Sequence, residues 1–174
     1  QQNWWENGQL ARIVLFSDMG EENIIYAALE SGEVLVVNGT GYYDMWGERG
    51  ECKDSLRVGT WQEEFISGFI QETNYKDGIK NGIFKIWNEH GSLIVQGSHE
   101  DGIPNGLWRY WYDSGQIHLE RKRENGKNIM VNSWDPNGKQ MVKNGSGIHV
   151  YYDNEGVEDE IWSSAEFENG VIIK

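Results

Sequence analysis

The chain holds one cysteine, two prolines and no apolar run near the ~18 residues that a transmembrane helix needs. Cys52 alone cannot close an intramolecular disulfide, and no Cys/His cluster has zinc spacing. A helical membrane span is excluded. Bases are scarce as well: 15 Lys+Arg stand against 28 Asp+Glu, a net charge of −13. Such a charge repels phosphate backbones and anionic headgroups, which argues against nucleic-acid binding and membrane insertion. What the chain has in excess is glycine, 22 residues, and aromatic rings, among them nine Trp. That aromatic content argues against disorder, and 174 residues suit a single domain, 1–174, with a modest core.

The sequence begins Gln1-Gln2-Asn3-Trp4, without Met. A removed signal peptide would leave such a start, so an exported or periplasmic protein is expected, with a cytoplasmic one as the alternative.

Pairs of glycines nine residues apart set a register. Gly41–Gly50, Gly59–Gly68, Gly82–Gly91, Gly106–Gly115, Ile129–Gly138 and Gly147–Gly156 begin units spaced by 18, 23, 24, 23 and 18 residues. In the long units a return strand follows the second Gly and ends in a turn such as Lys76-Asp77-Gly78 or Glu124-Asn125-Gly126. In the short units it runs straight into the next Gly. Asp-Gly and Asn-Gly supply the positive φ of tight hairpin turns. The chain therefore reads as an all-β repeat array of antiparallel β-hairpins in a meander.

Period-2 alternation assigns the faces. Tyr43/Met45, Trp61/Glu63, Phe84/Ile86, Trp108/Tyr110 and His149/Tyr151 share one face with Val34/Val36, Ile70/Glu72, Leu93/Val95, Ile117/Leu119 and Met141/Lys143 on return strands. This face is expected to be core. Asp44, Gln62, Lys85, Arg109, Gln71, His118 and Glu120 fall on the other, where Trp46, Trp87, Trp111, Trp134 and Tyr152 also lie near turns. Residues 1–31 fit the register less well and read as an irregular N-terminal cap before repeats at 32–170. Asp18-Met-Gly-Glu21 has the form of a helix capping box, yet the repeat phase favours a strand.

The run Tyr75-Lys-Asp-Gly-Ile-Lys-Asn-Gly82-Ile-Phe-Lys-Ile-Trp87-Asn-Glu-His-Gly91, repeated from His99 to Gly115, resembles the MORN-repeat variant found in YwqK-like antitoxins. The resemblance is good over 59–126 and weaker over 32–58 and 127–170; Ile129 and Glu64 depart from it. It implies a β-hairpin array and an interaction role, and it carries no catalytic residues.

Chemistry is sparse. His90 and His99 sit at turns, where a solvated ring is the commoner outcome. His118 and Glu120, two apart, have the spacing of an acid–base pair, although a solvated polar pair is the commoner reading. Asp153-Asn-Glu-Gly-Val-Glu-Asp-Glu160 is calcium-like in composition without the spacing of a calcium loop. No cofactor or metal is expected, and no enzyme. The charge is the stronger signal: between Arg12 and Arg49, and again between Lys143 and Lys174, lie seven acids and no base, leaving the rest of the chain near +1. The expected function is a protein-binding repeat of the antitoxin or immunity kind that occludes a basic partner protein, steered by charge and held by rings. The residues expected to do this are Lys85, Trp87, Arg109, Trp111, Trp134, Tyr152, Asp153, Glu155, Glu158, Asp159 and Glu160. The alternative is a carbohydrate or cell-envelope binding module that stacks sugars on exposed aromatics.

Overall fold

A computed structural model describes residues 1–16, 22–151 and 163–173. They form seventeen strands and no helix. These are β1 (Gln2–Trp4), β2 (Leu10–Phe16), β3 (Glu22–Ala28), β4 (Val34–Val37), β5 (Thr40–Met45), β6 (Glu48–Lys53), β7 (Leu56–Glu64), β8 (Ile70–Lys76) and β9 (Ile79–Trp87). The series continues with β10 (Leu93–Glu100), β11 (Ile103–Trp111), β12 (Ile117–Glu124), β13 (Lys127–Trp134), β14 (Gln140–Lys143), β15 (Ser146–Tyr151), β16 (Ser163–Glu168) and β17 (Val171–Ile172). Within each half of the chain, β1 to β8 and β10 to β17, each strand pairs antiparallel with the next in sequence, the β-hairpin meander that the glycine register predicts. The segment that admitted either helix or strand is strand β3; the Asp18–Glu21 capping box lies outside the described residues.

Two kinds of turn alternate, and local chemistry dictates both. Tight two-residue turns at Asn38-Gly39, Asp77-Gly78, Asp101-Gly102, Asn125-Gly126, Asn144-Gly145 and Asn169-Gly170 have positive φ at both positions. Asn, Asp and Gly tolerate that conformation best. Wider turns close on a glycine: Gly91 N donates to Asn88 O while Asn88 N donates to Ser92 O, and Asp135 with Gly138 and Lys139 repeats the pattern. The Asn88 and Asp135 side chains each accept two further backbone N–H groups, which holds these turns shut.

The chain divides into two compact units, residues 1–83 and 84–174. In the first, Val14, Ile24, Ala27, Val36, Tyr43, Met45, Cys52 and Trp61 form the core. The Trp61 indole stacks on Tyr43 and covers Gly50, where any β-carbon would collide with the ring. Arg57 lies 4.2 Å above Trp61 and pairs with Glu48 and Glu63. In the second unit Trp108 covers Gly97 in the same way, packs against Phe84 and His99, and has Arg123 at 4.6 Å. Leu119, Met130, Val142 and Phe167 complete that unit's core.

The first strands of the chain and the later ones share one set of registers. Gln2↔Ile13, Asn3↔Arg12 and Trp4↔Leu10 in β1–β2 correspond to Arg109↔Glu120, Tyr110↔Leu119 and Trp111↔Ile117 in β11–β12, with the same bulge before the last pair. Ile13↔Tyr26 and Val14↔Ile24 correspond to Glu120↔Asn132 and Arg121↔Met130, again with a shared bulge. Val36↔Gly41 matches Val142↔Gly147, and Gly41↔Cys52 matches Gly147↔Phe167. Even the turn bonds recur: Trp5 Nε1 donates to Ala28 O, and the Tyr112 hydroxyl donates to Trp134 O. Strands β1 to β3, within residues 1–31 read from sequence as an irregular cap, thus open one copy of a duplicated structure.

The core face is as expected for Tyr43, Met45, Trp61, Trp108, Leu119, Val36 and His149, all buried. Three assignments need correction. On β8 the inward residues are Gln71, Thr73 and Tyr75, because Trp61 pairs with Thr73; Gln71 donates to Glu63 and does not face solvent. On β14 Val142 is buried and Lys143 exposed. Val34, at the start of β4, is half exposed. On β8 and β14 the turn before the strand shifts the phase by one residue, and with period 2 such a shift exchanges the faces. On β4 the phase is as expected, and Val34 is exposed where the β3–β4 register shifts beside it.

Candidate functional site

Of the expected anchors, five lie among the described residues. Lys85 Nζ sits 5.6 Å from the centre of the Trp87 ring, a cation–π contact within one strand. Trp87, Trp111 and Trp134 are half-buried, so each ring presents only part of its surface. Arg109 donates to Glu120 at 3.0 Å, Glu120 accepts from Asn132 at 2.7 Å, and Asn132 accepts from Gln140 at 3.2 Å. This polar row crosses β11 to β14 on the face away from the core, so Arg109 is tethered. Tyr152, Asp153, Glu155, Glu158, Asp159 and Glu160 lie outside the described residues.

The His118–Glu120 pair is not assembled, because Glu120 bonds Arg109 and Asn132 instead. His118 turns the other way and stacks between Tyr112, at 4.4 Å, and His149, at 5.6 Å. Burial holds His118 at about 4, with Arg121 adding to the effect. Burial likewise holds His149 at about 4, helped by His118 and Arg121. Both rings are neutral at physiological pH and pack as core. His99, expected in solvent beside a turn, instead lies edge-on to Phe84 and Trp108; His90 is exposed beside Glu89. Burial raises the Cys52 thiol to about 11, so it is not a thiolate nucleophile near neutrality. Among the described residues no group of three His, Cys, Asp or Glu is placed to hold a metal ion.

The sequence ranking passed over an outward surface in the first unit. Tyr42 and Asp44 alternate with buried Tyr43 and Met45 on β5, so both point away from the core. Tyr42 pairs with Glu51 across to β6, and Asp44 pairs with Arg49. Val37 on β4 and Tyr42 are each 55% exposed. At the β5–β6 turn Trp46 is 52% exposed, packed at 5.7 Å on Trp5 with the Arg12 guanidinium 5.1 Å from its ring. Strand alternation on β5 is the sequence signal for Tyr42, since it alternates with Tyr43 and Met45.

Not all of the N-terminal acids are free. Glu22 pairs with Arg12 and Glu48 with Arg57, both inward arginines. Glu30, Glu33 and Asp44 are exposed and set the outward potential of this stretch. No family profile matches the chain, and no curated protein matches it in sequence.

Proposed function

We propose that this chain is a non-enzymatic, protein-binding repeat protein, of the antitoxin or immunity kind that its MORN-like repeats suggest, which occludes a basic partner. The observation that carries the reading is the outward surface of β4 to β6. Val37, Tyr42 and Trp46 offer exposed apolar anchors among Asp44 and Glu51, on strands fixed by a packed core. Rings at the centre of such a patch supply residence time, and the acids steer encounter with a cationic surface. Lys85 over Trp87 and the tethered Arg109 give the second unit its own ring-and-charge surface.

A second reading, a carbohydrate or envelope binding module, is favoured by Trp4 at 59% exposure and by Trp46. Salt separates the two. The purified chain is titrated with the protein encoded beside its gene, and with soluble cell-wall fragments, between about 50 and about 300 mM salt. A complex with a basic protein that weakens steeply with salt is the expected result. Binding to neutral glycan that does not change with salt, with no protein complex, would replace the first reading by the second.

A further inference from the structure

The duplication makes one cavity informative. In the first unit Val14, Ile24 and Cys52 share a buried cluster that includes Trp61 and is flanked by Tyr75. By register, their counterparts in the second unit are Arg121, Met130 and Phe167. Those three line an open cavity of about 570 Å³, together with Lys127, Ile129, Val171 and Ile172. That volume is in the range of small-ligand sites, and its wall is largely apolar with few polar groups, as such sites usually are.

The exchange of Val14 for Arg121 is the decisive feature. Val14 has no solvent exposure. Arg121 pairs with buried Trp108 across β11 and β12, so the arginine at its place stands on the core side of the sheet, where it is half-buried and lines the open cavity. The other arginines of this kind have an acceptor: Arg12 bonds Glu22, Arg57 bonds Glu48 and Glu63, and Arg123 bonds the Tyr110 hydroxyl. Among the described residues Arg121 has no carboxylate or hydroxyl partner. With Lys127 it makes the cavity locally positive on a chain whose net charge is −13. A guanidinium fork matches a carboxylate, and the apolar wall matches a hydrocarbon or aromatic body.

We propose that this cavity binds a small apolar carboxylate, aromatic or acyl, with its carboxylate on Arg121 and Lys127 and its body against Ile129, Met130 and Phe167. The site is separate from the surface of β4 to β6, and its ligand has the opposite charge to the partner inferred there. The test uses the intact chain and 8-anilinonaphthalene-1-sulfonate, an aromatic anion that fluoresces on entering an apolar site. One equivalent should bind. Indole-3-propionate should displace it at least about tenfold better than neutral 3-methylindole, since a charge-assisted contact is worth that much. Decanoate against indole-3-propionate distinguishes an acyl from an aromatic body. Arg121→Gln should weaken the anion about tenfold and leave 3-methylindole unchanged, and Arg121→Lys should restore part of the loss. Met130→Trp, which fills the cavity, should abolish binding of both. Equal displacement by the charged and neutral indoles in the unmodified protein would overturn the proposal, and this comparison needs no variant to fold. Binding of many dye equivalents without competition would overturn it too.

Discussion

At the scale of single residues, the large rings do what their positions require. Trp61 and Trp108 each lie on a glycine of the neighbouring strand, Gly50 and Gly97, and each carries an arginine above it. Trp108→Ala should cost about 3–5 kcal/mol, because a buried ring is removed from a site closed by Phe84 and His99. Lys85→Ala, outward with its ammonium over the face of Trp87, should stay within about 0.5 kcal/mol. Denaturant titration of the two variants checks this, and equal losses would mean that the faces are reversed. The buried histidines set a pH dependence. His118 and His149 titrate at about 4 in the folded chain, below the ordinary value of 6.5. Between those values the unfolded chain binds protons that the native chain refuses, so stability is complete above about pH 6.5 and is lost as pH falls toward 4. Allowing for solvent near the partly exposed His118, the loss is about 2 kcal/mol or more. Thermal melts from pH 7 to pH 4 measure it, and His149→Tyr, the residue at the equivalent place in the first copy, should flatten the dependence.

At the scale of the element, the hairpin turns repeat one chemistry with one conspicuous exception. Asn, Asp or Gly takes the first positive-φ position almost throughout, whereas the β5–β6 turn places Trp46 there at φ 55. A bulky residue in that conformation costs roughly 1 kcal/mol per residue. Trp46 is half exposed, so burial offsets little of this; the contacts to Trp5 and Arg12 offset some. Strain kept on an exposed ring suits a binding role. Trp46→Asn should change stability by no more than about 1 kcal/mol, since relief of strain opposes the lost ring contacts. It should also speed dissociation of the bound partner. A variant that is much less stable, with partner dissociation unchanged, would make Trp46 structural. The other turns were legible from sequence because Asn-Gly and Asp-Gly state their own conformation.

At the scale of the molecule, charge and duplication act together. The inward carboxylates Glu22, Glu48 and Glu63 are consumed by Arg12 and Arg57, so the outward field of the first unit rests on acids such as Glu30, Glu33, Asp44 and Glu51. Asp44→Asn with Glu51→Gln should slow association with a basic partner at low salt and leave the dissociation rate nearly unchanged. Stopped-flow mixing at low and moderate salt reads this. An association rate that the double variant does not alter would assign these acids to solubility alone. The duplication places Tyr43, Val14 and Cys52 of one copy where His149, Arg121 and Phe167 stand in the other. The two copies thus keep one backbone register while their inward chemistry diverges.

Turn chemistry and strand alternation are local, and they determined the all-β meander, the turn positions and the buried Trp61 and Trp108 from the sequence by itself. The faces of β8 and β14 were misread because a turn that shifts phase by one residue leaves the composition unchanged yet exchanges inside for outside. The inward stack of His118 with His149 and the cavity around Arg121 join strands that are not neighbours in sequence, and the packing of His99 between Phe84 and Trp108 depends on the register of the strands beside it. Only the tertiary structure decided them, because desolvation is set by what packs against a side chain and not by its sequence neighbours.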